Sequence, residues 1–397
     1  MSEHAAGAPA DPWIGPRGSA TTRLLGALRA RGPMTRADAA RLTGMSVSGV
    51  RRLVAELVAD GHLVERAGQP GGGRGRPGGV LVPVVPDGLV LGLDFGHTHV
   101  AVMLADTRGR QRHYERVDAD VDTHAADVLD VAAQIAGRAQ QRVAAGARFV
   151  HAVAGVPAPV GRDGRVRSPT IASSWWQLPV AAEIGRRLDL PAERVDVVND
   201  AQLGAVGEHR AGAARGCDDM LYVKASHGLG TGLILRGALY SGAHGLSGEI
   251  GHAVVRDDGE LCRCGSRGCL ETVVAVERVR RQVGFVMQRD DDNILGLAAE
   301  HPGARRVVGE AGRALGRALA DACNLLDPQR IVLGGELAEA GEPLEQGVAE
   351  SIRRYAQPAV GEPEIRLATL GEKAQVVGAA VLATERARAD LWLTPNR

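Results

Sequence analysis

LVLGLDFGHTHVAVMLAD, residues 89–106, contains two apolar runs parted by a short polar turn. Each run is strand-length, and Gly96 sits in the break, so the segment predicts a tight β-hairpin turning around Gly96 to Thr98. An Asp, Gly and Thr turn after a strand is also suited to cradling phosphate, because small residues let backbone N–H groups approach the anion. Two histidines, His97 and His99, interrupt that cradle. The stretch thus poses a choice between a site that transfers phosphate and one that only inherits its outline.

Working outward, strands continue to alternate with Ala-rich helices. HVAVMLAD is followed by a helical pattern near 124–145 and then by FVHAVAGVPAPV, a further strand. The alternation predicts an α/β domain. The hairpin resembles the opening of the actin-like, ribonuclease-H-like sugar-kinase fold. That resemblance implies a first α/β lobe of residues 87–199 plus 375–397 and a second of residues 200–374, with AQVVGAAVLATERARA as the closing helix.

Ahead of residue 87 the texture differs. The first 20 residues are expected to be disordered, and residues 21–86 read as a winged helix-turn-helix. TTRLLGALRARG repeats apolar residues at helical spacing, Thr35 can cap a second helix, and Ser46 can cap a third that stops at Gly61. On the third helix Val50, Val54 and Leu57 share one side, while Ser48, Arg51 and Arg52 lie towards the others. HLVER and VLVPV would pair as the wing, with Arg74 and Arg76 at its tip. Such a module lays its last helix in the major groove and its wing on phosphate or minor groove.

Charge agrees with that division. The chain balances 47 basic against 47 acidic residues, which excludes a uniformly basic coat. Residues 1–85 nevertheless hold 11 Arg and only 6 acidic residues, leaving 36 basic against 41 acidic in the remainder. A basic head precedes an acidic body. No apolar run is long enough to span a bilayer and no secretory signal opens the sequence, so a cytoplasmic, membrane-free protein is expected.

Three of the 5 cysteines crowd into residues 262–269. With His252 they make the set His252, Cys262, Cys264 and Cys269, which suits a closed tetrahedral zinc site in a structural role. Cys217 and Cys323 are expected to be packing residues.

GEIGHAVVRDDGELCRCGSRGCLE, residues 248–271, resembles the signature of the ROK family of repressors, open reading frames and sugar kinases, and the winged helix is similar to that of its repressor branch. The resemblance implies a sugar held by Asn199, Asp200, Glu249, His252 and Glu271, whose carboxylates and amides suit vicinal hydroxyls. It would also make Asp200 the general base of a kinase. The phosphate loops depart from the family pattern. In the first, Asp94, Gly96 and Thr98 persist, but His97 and His99 replace Gly and Lys. In the second, KASHGLGTG, Gly228 and Gly230 persist, but Ser226 and His227 replace Gly and Thr. The third keeps Gly334 and Gly335 with Glu336 beside them.

Phosphoryl transfer depends on positioning, so such departures point away from catalysis. The expected function is a sugar-responsive regulator, a repressor by resemblance, acting as a homodimer or homotetramer on a double-stranded DNA operator. Two other classes fit the same residues: an ATP-dependent, hexokinase-like sugar kinase that also binds DNA, and a DNA-binding protein indifferent to sugar.

Overall fold

The structure, a computed structural model, describes residues 20–66, 79–84, 87–171, 173–289, 291 and 293–390. It divides into two compact units, residues 1–87 with 387–397, and residues 88–386. The tip carrying Arg74 and Arg76 lies outside the described residues. So does the expected disordered start, except for Ala20, which is already helical.

The N-terminal unit contains helices α1 (Ala20–Arg31), α2 (Arg36–Thr43) and α3 (Val47–Ala59) and strands β1 (Met34–Thr35), β2 (Leu63–Arg66) and β3 (Val80–Pro83). Thr35 caps α2 by accepting from the Asp38 N–H, and Ser46 caps α3 by accepting from the Gly49 N–H at 3.1 Å. Val50, Leu53, Val54 and Leu57 bury the inner stripe of α3 against Leu24, Leu28 and Ala39. The wing strands pair antiparallel, and β1, absent from the sequence reading, adds a third strand in the order β1-β3-β2.

The larger unit is built on two sheets of the same design. The first contains β4 (Leu89–Gly96), β5 (His99–Asp106), β6 (Gln111–Asp118), β7 (Phe149–Val156) and β8 (Val195–Asn199), in the order β6-β5-β4-β7-β8. Helices α4 (Ala125–Ala144) and α5 (Val180–Leu188) belong to this lobe, and Trp175 packs on Phe95 with ring centroids 5.1 Å apart. After α6 (Asp200–Ala211) come β9 (Met220–Ala225), β10 (Leu229–Leu235) and β11 (Ala238–Tyr240). Then follow α7 (Glu271–Val274), α8 (Val276–Met287), α9 (Pro302–Leu326), β12 (Arg330–Gly334), α10 (Glu342–Tyr355), β13 (Glu364–Leu367) and α11 (Ala374–Asp390). The second sheet runs β11-β10-β9-β12-β13. Each sheet joins an antiparallel three-stranded meander to two parallel strands. The fold is thus a winged helix-turn-helix followed by an actin-like sugar-kinase fold.

Helices α6 and α11 meet at backbone distance. A Cβ on Gly378 would stand 1.9 Å from the Leu203 carbonyl oxygen, and one on Gly207 would stand 2.2 Å from that of Ala374. Next to this crossing, the fully buried Glu208 accepts backbone N–H bonds from Ala213 at 2.6 Å and Leu370 at 2.8 Å. It also accepts from the Thr369 N–H and hydroxyl, both at 3.3 Å.

Candidate sugar cleft and metal centre

The end of β8 and the start of α6 bring Asn199 and Asp200 to the wall of an open cavity of about 680 Å³, which Lys224, Glu249, His252 and Glu271 also line. All five residues expected to meet a sugar therefore share one cavity. Asn199 is also the helix cap: its Oδ1 accepts from the Ala201 and Gln202 N–H groups at 3.0 and 3.2 Å, and its Nδ2 donates to the Ala158 carbonyl at 3.1 Å. Its amide is held rigid, with both Oδ1 lone pairs engaged and one Nδ2 N–H to spare.

Asp200 is nearly enclosed. Its Oδ1 accepts from the Ala201 N–H at 2.7 Å, and its Oδ2 accepts from Lys224 Nζ at 2.5 Å. Lys224 escaped the sequence reading, although a basic residue within the otherwise apolar strand MLYVKA was a visible signal. Burial alone would depress the Lys224 ammonium, but the Asp200 and Asp94 charges outweigh it and leave its pKa raised.

Glu249 follows Gly248, whose φ of +98° and close approach to Thr231 leave no room for a Cβ. Burial, reinforced by the Asp200 and Glu271 charges, pushes the Glu249 carboxyl up to about 7. Near neutral pH it is therefore present both as donor and as acceptor. Glu271, at the start of α7, accepts from the Leu229 N–H at 3.0 Å and faces the Cys262 thiol at 3.5 Å. It links the cavity to the cysteine cluster.

In that cluster the ligand atoms of His252, Cys262, Cys264 and Cys269 all lie within 4.8 Å of one another. His252 Nδ1 is 3.7 Å from Cys262 Sγ, and Cys264 Sγ is 3.7 Å from Cys269 Sγ. One imidazole and three thiols at this spacing suit a soft divalent ion such as zinc, and four ligands leave no open position. The other ring nitrogen of His252 faces a Glu249 oxygen at 3.7 Å, so the ring joins the cluster to the cavity. Cys217 and Cys323 are buried in hydrophobic clusters, away from this set.

Two of the three loops expected to hold phosphate reach the same cavity, through His97 of the first and Ser226, His227, Gly228 and Gly230 of the second, and Glu336 of the third contacts His227. Asp94 is buried at the end of β4, with Oδ2 3.1 Å from His99 Nε2. Gly96 faces His99 across the hairpin, and the Thr98 carbonyl accepts from the Ala119 N–H at 3.0 Å. His97 Nδ1 lies 2.7 Å from Asp122 Oδ1, and its ring stands 5.4 Å from that of His227. His227 meets Glu336 Oε1 at 3.5 Å, and this carboxylate raises the imidazole pKa. Gly228 lies against Glu271, Gly230 and Gly334 flank Lys224 on β10 and β12, and Gly335 turns with φ of +80° against the Ala225 carbonyl. Substituted positions of two separate loops thus meet as His97 and His227, with Glu336 of the third beside His227, side chains where a phosphate cradle wants bare backbone.

On the N-terminal unit Ser48, Arg51 and Arg52 are all exposed on α3. No helix among the described residues is long and apolar enough to cross a membrane.

The ROK family profile matches residues 90–386, and a MarR family profile matches residues 18–75. Over 347 residues the chain is 28% identical to the DNA-binding transcriptional dual regulator NagC of Escherichia coli strain K12, covering 82% of each chain. It is also 28% identical over 322 residues to a glucokinase of Halalkalibacterium halodurans, covering 75% of this chain and 95% of that one. A solved ROK family transcriptional regulator, described as a homologue of the E. coli MLC protein, superposes with a TM-score of 0.77 at 26% identity, covering 94% of this chain and 97% of the other. The family match takes in both sheets and well over half of the sequence, and the chain belongs to the ROK family, with a MarR-type winged helix at its front.

Proposed function

We propose that this protein is a sugar-responsive DNA-binding transcriptional regulator, a repressor, whose cleft binds a monosaccharide or its derivative without phosphorylating it. The observation that carries this reading is a contrast within one cavity: hydroxyl-binding groups line it, while His97 and His227, the latter paired with Glu336, put side chains where a phosphate cradle wants bare backbone. Asn199, Asp200, Glu249, His252 and Glu271 are the sugar ligands in this reading. Zinc, held by His252, Cys262, Cys264 and Cys269, would supply a rigid cross-link that fixes His252 and Glu271. Similarity to NagC and to the solved ROK regulator over both units supports the regulatory role.

Binding of sugar would shift the balance between open and closed lobes and so change operator affinity in a homodimer or homotetramer. The test is fluorescence anisotropy on operator DNA recovered from genomic fragments, repeated across a hexose and amino-sugar panel. One sugar is expected to release the DNA, and Asp200→Asn to weaken that response at least about tenfold through loss of a charged acceptor. No response to any sugar, with DNA binding intact, would favour the sugar-indifferent reading.

Ser48, Arg51 and Arg52 would face the groove, with Arg74 and Arg76 on the wing. Arg51→Ala combined with Arg52→Ala is expected to weaken operator binding and to lower the salt slope by roughly 1–2, while calorimetric sugar affinity stays the same. An unchanged salt slope would reject this face of α3.

The glucokinase similarity and the retained Asp200 favour a second reading, an ATP-dependent sugar kinase that also binds DNA. Incubation with ATP, magnesium and glucose decides it: turnover abolished by Asp200→Asn would establish the kinase.

A further inference from the structure

Lys224 sits near the end of β9, opposite Gly230 of β10 and Gly334 of β12. Directly paired residues share a sheet face, and neither neighbour has a side chain of its own; the Tyr222 ring lies over Gly334 and Ala201 over Gly230, and the lysine stem runs between them. The ammonium pairs with Asp200 at 2.5 Å, both side chains being largely buried at 14% and 9% exposure. Asp94, from the first phosphate loop, and Glu336, from the third, act on the same charge. Asp94 Oδ1 is buried with no hydrogen-bond partner among the described residues. The ammonium contacts Asp200 directly, while Glu336 also meets Arg280 at 3.3 Å and His227 at 3.5 Å, and Asp94 lies 3.1 Å from His99 Nε2.

Buried carboxylates that share a cavity require a counter-charge. In phosphoryl-transfer sites a divalent ion supplies it, arriving with the nucleotide and leaving with it. We propose that Lys224 is a tethered cation taking the place of a divalent metal ion in this cleft, so that ligand is held without magnesium or nucleotide. This deepens the reading of the cleft as a binding site and rests on it. The same ion pair occupies the Asp200 oxygen that would otherwise receive a proton from a sugar hydroxyl. A second cation entering the space would meet an ammonium that cannot leave.

The test is Mn²⁺ titration of the full-length, zinc-loaded protein, followed by electron paramagnetic resonance. Wild type is expected to leave Mn²⁺ free, and Lys224→Met to bind one Mn²⁺ about a hundredfold more tightly than wild type. Adding Asp200→Asn to that variant should abolish the new site. Lys224→Gln, closer in length and polarity, serves if the methionine variant does not fold. A wild-type cleft that binds one Mn²⁺ lost on Asp200→Asn overturns the proposal, as does a folded Lys224 variant that binds Mn²⁺ no better than wild type. The titration contains no sugar. Failure of every sugar to alter DNA binding would therefore count against the regulatory reading and leave this result standing.

Discussion

Cys264→Ser is expected to empty the Cys3His cluster and abolish the response of DNA binding to sugar. Cys264 is the informative choice because it is exposed, whereas Cys262 and Cys269 are buried at 4% and 0% exposure and their replacement would also disturb packing. A structural zinc contributes about 10–16 kcal/mol to its folded site, and loss of one thiolate should lower affinity at least about a hundredfold. Released from metal, the His252 ring and the turn leading to Glu271 lose their common anchor, and both line the cavity. Plasma mass spectrometry should find one zinc per wild-type chain and almost none after dialysis of the variant. DNA affinity without sugar should survive, because α3 and the wing belong to the other compact unit. A variant that keeps both metal and sugar response would remove His252, Cys262, Cys264 and Cys269 as a ligand set.

Glu208→Ala should cause the largest loss of stability of any single polar substitution outside that cluster. Four donors converge on its carboxylate, three of them backbone N–H groups, in a place with no measurable solvent exposure. Ala213 and Leu370 are half-buried and Thr369 is exposed, so water can replace part of what the carboxylate accepts, and a net loss of roughly 2–3 kcal/mol is expected from about 1–3 kcal/mol for each donor left unpaired. That is a large share of the stability of an ordinary domain. Urea unfolding of the larger unit, followed by tryptophan fluorescence, measures it. Glu208→Gln keeps an acceptor and should fall between alanine and wild type. A loss under about 1 kcal/mol for the alanine variant would show that this carboxylate does not hold α6 to the approach of α11.

Much of this architecture was legible because local chemistry and tertiary demand agree. The run 89–106 folds as the hairpin its apolar halves predict, Thr35 and Ser46 cap the helices they precede, and the cysteine spacing brings its thiols together. Other features were hidden for physical reasons. Strand β6 reads QRHYERVD, a polar edge strand whose exposed faces carry little of the apolar alternation that marks a half-buried strand. The repetition between the sheets is one of pairing order, and LVLGLDFG and MLYVKA share no pattern that would reveal it. The site was legible in its carboxylates and cysteines but not in its couplings. Nothing in the order of residues says that Lys224 reaches Asp200, or that His97 and His227, 130 positions apart, stand ring to ring.

Where α6 crosses α11, Gly207 and Gly378 let main chain rest on main chain. Interlocked side chains would act like gear teeth and favour a few discrete settings. A smooth bearing tolerates small rotations in which few contacts are broken. Alanine at Gly378 would therefore force the two helices apart at this joint, because its Cβ would stand 1.9 Å from the Leu203 carbonyl oxygen.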